Sequence, residues 1–300
     1  MSNAALHQGG AAKPVTIAHL GPPGTFGEEA LHATLGDAAG ELKLVACETN
    51  HDVVIAVENG TVDAGFVPIE NSVEGAVTET LDALVHAATG TQIVGELVWP
   101  IHHCLIAGEE LPLSEVAVVA SHPQAIAQCS NYINDNLPNA KRVQLVSTAE
   151  AVREAVAQKN GYAAIGSRIA AETYGGVVLA DAVEDVAGNK TRFVWLAKQP
   201  LPADWLGLDP AAPVKTSVMF SGFNDTSPGA LVSILSEFAY RSVNMSKIES
   251  RPERTQLGHY LFFVDLEGSI EDEALTNAIE AIRGKVRELR VLGSFPAFEA

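Results

Sequence analysis

The chain has 300 residues, 47% of them hydrophobic, and a formal net charge of −18. That length and apolar content suffice for a large core and for two domains, and no window approaches the ~18 uninterrupted apolar residues of a membrane span. The acidic balance argues against a nucleic-acid partner, whose phosphates need clustered Lys and Arg.

Residues 1–12 are small and polar, lack the apolar core of a signal peptide, and read as a disordered lead. From Val15 onward, short apolar runs alternate with amphipathic stretches of helical length. Residues 15–20 read as a strand, 21–25 as a turn and 26–35 as a helix. Strands follow at 43–47 and 64–68 with a helix at 51–58 between them. Such βαβ alternation implies a parallel sheet covered by helices, with functional loops at the carboxyl ends of its strands. One such loop is Pro68-Ile69-Glu70-Asn71-Ser72-Val73-Glu74-Gly75, which precedes a helix at 76–87. Its polar side chains are expensive to desolvate without partners. Two roles fit equally: a cap by Asn71 or Ser72 for that helix, and a binding loop.

The apolar run 92–107 carries His102 and His103, which alternate to opposite faces of an extended segment and so cannot share a metal. The run leads into a second lobe. Its strands are expected at 116–120, 142–146 and 163–166, with helices ending at 136 and starting at 149 and 168. Ser121 is expected to cap the first of these helices, with Pro123 in its first turn, and Gln124 and Gln128 share a helix face. A strand at 177–180 returns toward Gly188-Asn189-Lys190-Thr191-Arg192-Phe193. There a hydroxyl, a cation and an aromatic ring stand side by side at a strand entrance. Alternation sends Thr191 and Phe193 to one face and Arg192 to the other, unless an irregular entry brings all three to one cleft. Cys47, Cys104 and Cys129 are odd in number and lack a CxxC pair. They read as buried thiols in a reducing, cytoplasmic compartment.

Residues 199–213 hold four prolines and read as a linker. Beyond it come a strand at 215–221, a helix opened by Ser227-Pro228-Gly229, strands at 243–249 and 259–266, a helix at 272–283 and a strand at 286–291. That βαββαβ order is the ferredoxin-like plan, whose open sheet commonly buries an edge against a second copy.

Four ordered segments of the first region resemble prephenate dehydratase: Gly21-Pro22-Pro23-Gly24-Thr25-Phe26; Pro68-Ile69-Glu70-Asn71-Ser72 with Gly75; Ser121-His122-Pro123-Gln124 through Gln128-Cys129; and Thr191-Arg192-Phe193. The last region looks like an ACT regulatory domain, through Gly229-Ala230-Leu231-Val232, Asn244 and Ile248-Glu249-Ser250-Arg251-Pro252. The resemblance implies an α/β protein with a two-lobed, periplasmic-binding-protein-like catalytic domain at 14–198. Lobe 1 would take 14–98 and 178–198 and lobe 2 would take 99–177, followed by the linker and an α+β ferredoxin-like ACT domain at 214–294. It implies a carbon–oxygen lyase that decarboxylates and dehydrates prephenate to phenylpyruvate, a step toward phenylalanine, with L-phenylalanine as effector. No cofactor, metal, nucleic acid or membrane is implied, and the expected assembly is a homodimer or homotetramer.

Carried over by motif, the catalytic set is Thr191, Arg192, Glu70, Asn71, Ser121 and Gln128, with Thr25, Ser72 and Phe193 binding substrate. Gly229, Ala230, Leu231, Val232, Asn244, Glu249, Ser250, Arg251 and Pro252 form the effector set. Gly27 departs from the pattern, because the family often has Ser or Thr after the Phe of the first motif. On chemical grounds the reaction is downhill once the ring becomes aromatic, so the protein needs to orient the departing groups and assist the leaving hydroxide. Thr191 is the expected donor to that oxygen, while Arg192 and the helix after Ser121 are expected to hold carboxylates. Two rivals are the same reaction on arogenate, with Glu70 meeting the substrate ammonium, and a non-catalytic amino-acid sensor.

Overall fold

The computed structural model describes residues 15–36, 42–201, 206–207, 209, 211–223, 227–254 and 257–299. The expected lead at 1–12 and parts of the expected linker lie outside them. The first lobe opens with β1 (Thr16–Leu20), α1 (Phe26–Leu35), β2 (Lys43–Cys47), α2 (Asn50–Glu58) and β3 (Ala64–Asn71). Both β2 and β3 pair in parallel with β1, as the βαβ alternation requires. A short β4 (Gly75–Ala76) folds back on β3, and α3 (Thr78–His86) follows. The chain then crosses to the second lobe along β5 (Gln92–Pro100).

That lobe is a five-stranded sheet in the order β10-β6-β9-β7-β8. Its elements are β6 (Cys104–Ala107), β7 (Val118–Ser121), α4 (Pro123–Gln128), α5 (Ser130–Asn136), β8 (Lys141–Gln144), α6 (Thr148–Gln158), β9 (Tyr162–Gly166), α7 (Arg168–Tyr174) and β10 (Val177–Ala180). The expected single helix to residue 136 is broken at Cys129, which serves as cap to both α4 and α5. The chain returns along β11 (Lys190–Ala197), antiparallel between β3 and β5. Two α/β lobes joined by two crossings result, with a cleft between them.

The last region has β12 (Val214–Ser221), α8 (Ala230–Ala239), β13 (Met245–Pro252), β14 (Tyr260–Glu267), α9 (Glu273–Arg283) and β15 (Glu288–Glu299). Its strand order, β13-β14-β12-β15, is the ferredoxin-like one, and β13 stands at the edge. Helix α8 starts later than Ser227 and Pro228 predict: Gly229, at φ +82°, is its N-cap, a left-handed conformation that glycine adopts without strain. The final strand also runs longer than its apolar core suggests. Ala297, Phe298 and Glu299 pair in parallel with Glu96, Leu97 and Val98 of β5, so one ten-stranded sheet runs through both the first lobe and the last region.

One face of the last region's sheet packs under α8 and α9, with Val218, Phe220, Ile234, Phe238, Val264 and Ile279 at its centre. Its other face joins the first lobe's core, where Leu261, Phe263, Leu292 and Phe295 meet Ile69, Leu81 and Leu84. The two regions therefore share apolar surface and do not merely hang on a linker. Among the described residues, no helix is long and apolar enough to cross a membrane.

Candidate active site

A cavity of about 340 Å³ lies between the lobes. The first lobe contributes Thr25, Phe26 and Gly27 from the start of α1, Phe66, Pro68 and Asn71 from β3, and Thr191 and Phe193 from β11; the second contributes His122, Gln124 and Gln128 around α4 and Ser147 and Thr148 at the start of α6. Ile101, His103 and Asn189 come from the two crossings. The wall is mainly apolar: Phe66 and Phe193 stack with centroids 5.0 Å apart, and Phe26 stands edge-on to His103 at 5.1 Å. Among the described residues, no Lys or Arg lines the cavity.

Asn71 organises the polar floor. Its Oδ1 accepts from the backbone N–H groups of Val73 (2.9 Å) and Glu74 (3.0 Å), closing the β3–β4 turn and fixing which way the amide points. Its Nδ2 then donates to Thr191 Oγ1 at 2.9 Å and to Asn189 Oδ1 at 2.8 Å. Asn189 Nδ2 donates to Gln128 Oε1 at 3.3 Å, and Gln128 Nε2 donates to Glu74 Oε1 at 3.1 Å. This run ties Gln128 of the second lobe to Asn189 and Glu74 and draws the lobes together. Because Thr191 accepts through its oxygen, its O–H proton remains available to a ligand in the cavity. Thr191 is 8% exposed and Asn189 4%, so water competes little for either.

Burial lowers the His103 pKa, and the Gln128 contact and the Glu184 charge only partly offset this. The ring is therefore neutral at pH 7, with Nε2 3.0 Å from Gln128 Oε1, which fixes the proton on that nitrogen. His102 turns instead to Glu184, with Nδ1 2.8 Å from Oε1.

The expected site residues divide between the cavity and other places. Thr25, Asn71, Gln128, Thr191 and Phe193 line the cavity. Ser72 lies just behind it, accepting from the Lys190 N–H at 2.9 Å. Neither Asn71 nor Ser72 caps a helix, since α3 starts from Val77 without a side-chain cap. Ser121 is fully buried and donates to the Ile165 carbonyl at 2.6 Å, while His122 caps α4. As the last residue of a central strand, Ser121 points into the lobe and not at the cleft. Arg192 and Glu70 are absent from the lining. Alternation along β11 sends Arg192 to the reverse face, and the irregularity of β3 at Ile69, which is skipped between the paired Pro68 and Glu70, turns Glu70 there as well, so that the guanidinium lies 2.5 Å from Glu70 Oε2. A shift in register just after Arg192 leaves Thr191 opposite Asn71 and Arg192 opposite Glu70.

In the last region, Gly229, Ala230, Leu231 and Val232 open α8, and Glu249, Ser250, Arg251 and Pro252 end β13, preceded by Asn244. Val232 is 65% exposed. Arg251 turns toward the first lobe, with Nη2 2.9 Å from Asp82 Oδ2.

Sequence reasoning missed His103, Asn189, Ser147 and Thr148 as cleft residues. Asn189 belongs to the hexapeptide Gly188 to Phe193, separated from Thr191 by Lys190, but only the pairing of β11 with β3 brings it to Asn71. Nothing local marks Ser147 beyond its capping of α6, through the Glu150 N–H at 3.0 Å. The three thiols are free; Cys104 and Cys129 are buried, and burial pushes Cys104 up to about 12.

The family model for prephenate dehydratase matches residues 17–201 and that for the ACT domain matches 223–284. A prephenate dehydratase of Amycolatopsis methanolica is 39% identical over 93% of this chain and 88% of its own length. The structure of a prephenate dehydratase from Arthrobacter aurescens in complex with L-Phe is 35% identical, covers 95% of this chain and 93% of its own, and superposes with a TM-score of 0.83. Another similar structure, described as GqqA, a novel type of quorum quenching acylase, is 29% identical with a TM-score of 0.79 over 94% of this chain and 98% of its own. Taken with the two-lobed fold and the ferredoxin-like last region, these matches place the chain in the prephenate dehydratase family, with an ACT domain at its C-terminal end.

Proposed function

We propose that the interlobe cavity converts prephenate to phenylpyruvate with Thr191 as the catalytic donor, and that the ACT domain takes L-phenylalanine as effector. The observation that carries this reading is the buried Thr191 hydroxyl in the cavity wall, whose oxygen accepts from Asn71, so that its proton is free to be donated to a ligand there. In the reaction the bond between the ring and its carboxylate breaks. That electron pair enters the ring, and the ring C–O bond breaks on the far side. Carbon dioxide leaves as a neutral molecule and hydroxide takes up a proton to become water. Charge gathers on the departing oxygen, where a preplaced donor is worth about 3 kcal/mol of barrier. A threonine hydroxyl is too weak an acid to give up its proton outright, so its part is to stabilise that charge. Phe66, Phe193 and Phe26 penalise a carboxylate more than the carbon dioxide it becomes, which favours the step.

With no cation in the lining, the substrate carboxylates fall to neutral donors. The first N–H groups of α1 and α6 have no acceptor within their own helices, and both helices open onto the cavity from opposite lobes. The same lining has no carboxylate, and Glu70, the expected partner for an ammonium, is held by Arg192 and Lys247 on the reverse face. Prephenate is therefore favoured over arogenate. Hydrolysis by acyl transfer finds less support: the Thr191 oxygen faces an amide donor, and among the described residues no base accepts its proton.

The effector reading rests on Gly229 to Val232, Asn244 and Glu249 to Pro252, and on the L-Phe held by the Arthrobacter aurescens structure. Edge strand β13, with Ile248 45% exposed, suits pairing with a second copy, as a homodimer or homotetramer in the cytoplasm. Purified protein assayed with prephenate, arogenate and an N-acyl amide, with and without phenylalanine, tests the activity and its regulation. The expected outcome is phenylpyruvate from prephenate, with a rate that phenylalanine lowers; turnover of either other substrate alone would refute the assignment.

A further inference from the structure

Arg192 is one residue from Thr191 and on the other side of the sheet. Its guanidinium meets carboxylates from three strands: Glu70 of β3 at 2.5 Å, Glu96 of β5, and Asp265 of β14 at 2.8 Å. Each acid has a second partner. Lys247 Nζ lies 3.0 Å from Glu70, Lys215 Nζ 2.6 Å from Glu96, and Ser217 Oγ 2.5 Å from Asp265. Three cations thus face three carboxylates, but neither domain is balanced alone. The first lobe supplies Glu70, Glu96 and Arg192, two acids and one cation; the ACT domain supplies Lys215, Lys247 and Asp265, two cations and one acid. The Glu96 side chain is 1% exposed and that of Arg192 16%. Charges this dry are stable only while their partners are in place, so the lattice forms only when the ACT sheet is seated on the lobe.

The lattice also lies directly behind the polar floor. Thr191 pairs with Asn71 and Arg192 with Glu70 in consecutive register, so each strand carries a cleft residue and a lattice residue side by side. A further tie starts in the expected effector segment: Arg251 shares a face of β13 with Lys247 and grips Asp82 of α3 through Nε at 3.2 Å and Nη2 at 2.9 Å.

We infer that Arg192 is a positioning residue, which sets the Asn71–Thr191 geometry from the back of the sheet, and that Lys215, Lys247 and Asp265 of the ACT domain complete this setting. A ligand that displaces β13 alters the Lys247–Glu70 contact and, one residue on, the Asn71 amide that holds Thr191. Effector occupancy then reads out as turnover with no contact between effector and cleft. This rests on the proposed roles of Thr191 and of phenylalanine.

The test uses the full-length chain with Asp265→Asn, Lys247→Gln and the rescue variant Asp265→Glu, assayed for prephenate turnover with and without phenylalanine. We expect Asp265→Asn to lower kcat about tenfold, as a small misplacement of the reacting group does, with KM within about twofold of wild type. Asp265→Glu should recover most of that loss, and the fractional effect of phenylalanine should shrink in both Asp265→Asn and Lys247→Gln. Wild-type kcat together with a wild-type phenylalanine response in both variants overturns the inference. A rise in KM at unchanged kcat does so too, since it makes the lattice a binding feature. Should Asp265→Asn fail to fold, Lys247→Gln decides by the same readouts. Failure of the underlying reading is a separate result, namely no prephenate turnover in the wild-type protein.

Discussion

The two faces of β11 do opposite things with the same stretch of chain. On the cleft face, Thr191 and Phe193 sit among amides and aromatic rings, with no cation or carboxylate in the lining. On the reverse face, Arg192 is held among Glu70, Glu96 and Asp265. Chemistry that discharges a carboxylate gains from a neutral, preorganised wall, whereas fixing two domains in one relative position gains from buried charges that tolerate no missing partner. Pleating keeps the two demands apart by one residue, and so lets the second face hold the first in register.

The sharpest way to break this comparison is on the cleft face. Thr191→Ala should lower kcat by about a hundredfold or more, as loss of one transition-state donor does, with KM little changed in steady-state assays of prephenate turnover. Near-wild-type kcat would leave the cleft face with no advantage over the reverse one.

A smaller effect is expected on the reverse face. Burial alone would raise the Glu70 carboxyl, but the hydrogen bond from Arg192 and the charge of Lys247 outweigh it and hold the pKa below its ordinary 4.5. A folded value below the unfolded one means that the stabilisation is fully present above about pH 4.5 and is lost as pH falls through the lower, folded value. Glu70→Gln should therefore cost about 2 kcal/mol in urea unfolding at pH 7, the scale of a hydrogen bond to a charged group. The gap between variant and wild type should close in acid. A gap independent of pH would show that the carboxylate charge is irrelevant there.

Gly27→Ser restores the hydroxyl expected at the start of α1 and should have the least effect. A Cβ at Gly27 would meet Phe193 Cε1 at 3.5 Å and Thr25 Oγ1 at 3.8 Å, ordinary contacts. Replacing a helical glycine should raise stability by roughly 0.5 kcal/mol, visible as a small rise in Tm. A fall would mean that the cleft mouth is tighter than its geometry indicates.

Much of this was legible in the chain itself. Turn residues and apolar periodicity mark α1 at Phe26–Leu35, β2 at Lys43–Cys47 and the βαββαβ order of the last region, because these depend on neighbours within a few residues. Alternation also offers the separation of Thr191 from Arg192, but an irregular strand entrance leaves a shared cleft open, and only the regular pairing of β11 with β5 there closes that alternative. What sequence reasoning could not supply is partnership. Ser121 reads as a helix cap and proves to be a buried donor to Ile165, because its direction depends on where β7 sits in its sheet. Arg192 and Glu70 read as cleft residues by motif, but they pair with each other behind the sheet, and the docking of the ACT sheet adds Lys247 and Asp265, the latter 73 residues from Arg192, from across the domain boundary. Local energetics along the chain determined the elements and the facing of each side chain along its strand. Long-range pairing, of β11 with β3 and of β15 with β5, decided which faces meet, because loop closure lets residues far apart in sequence share one site and no local pattern records it.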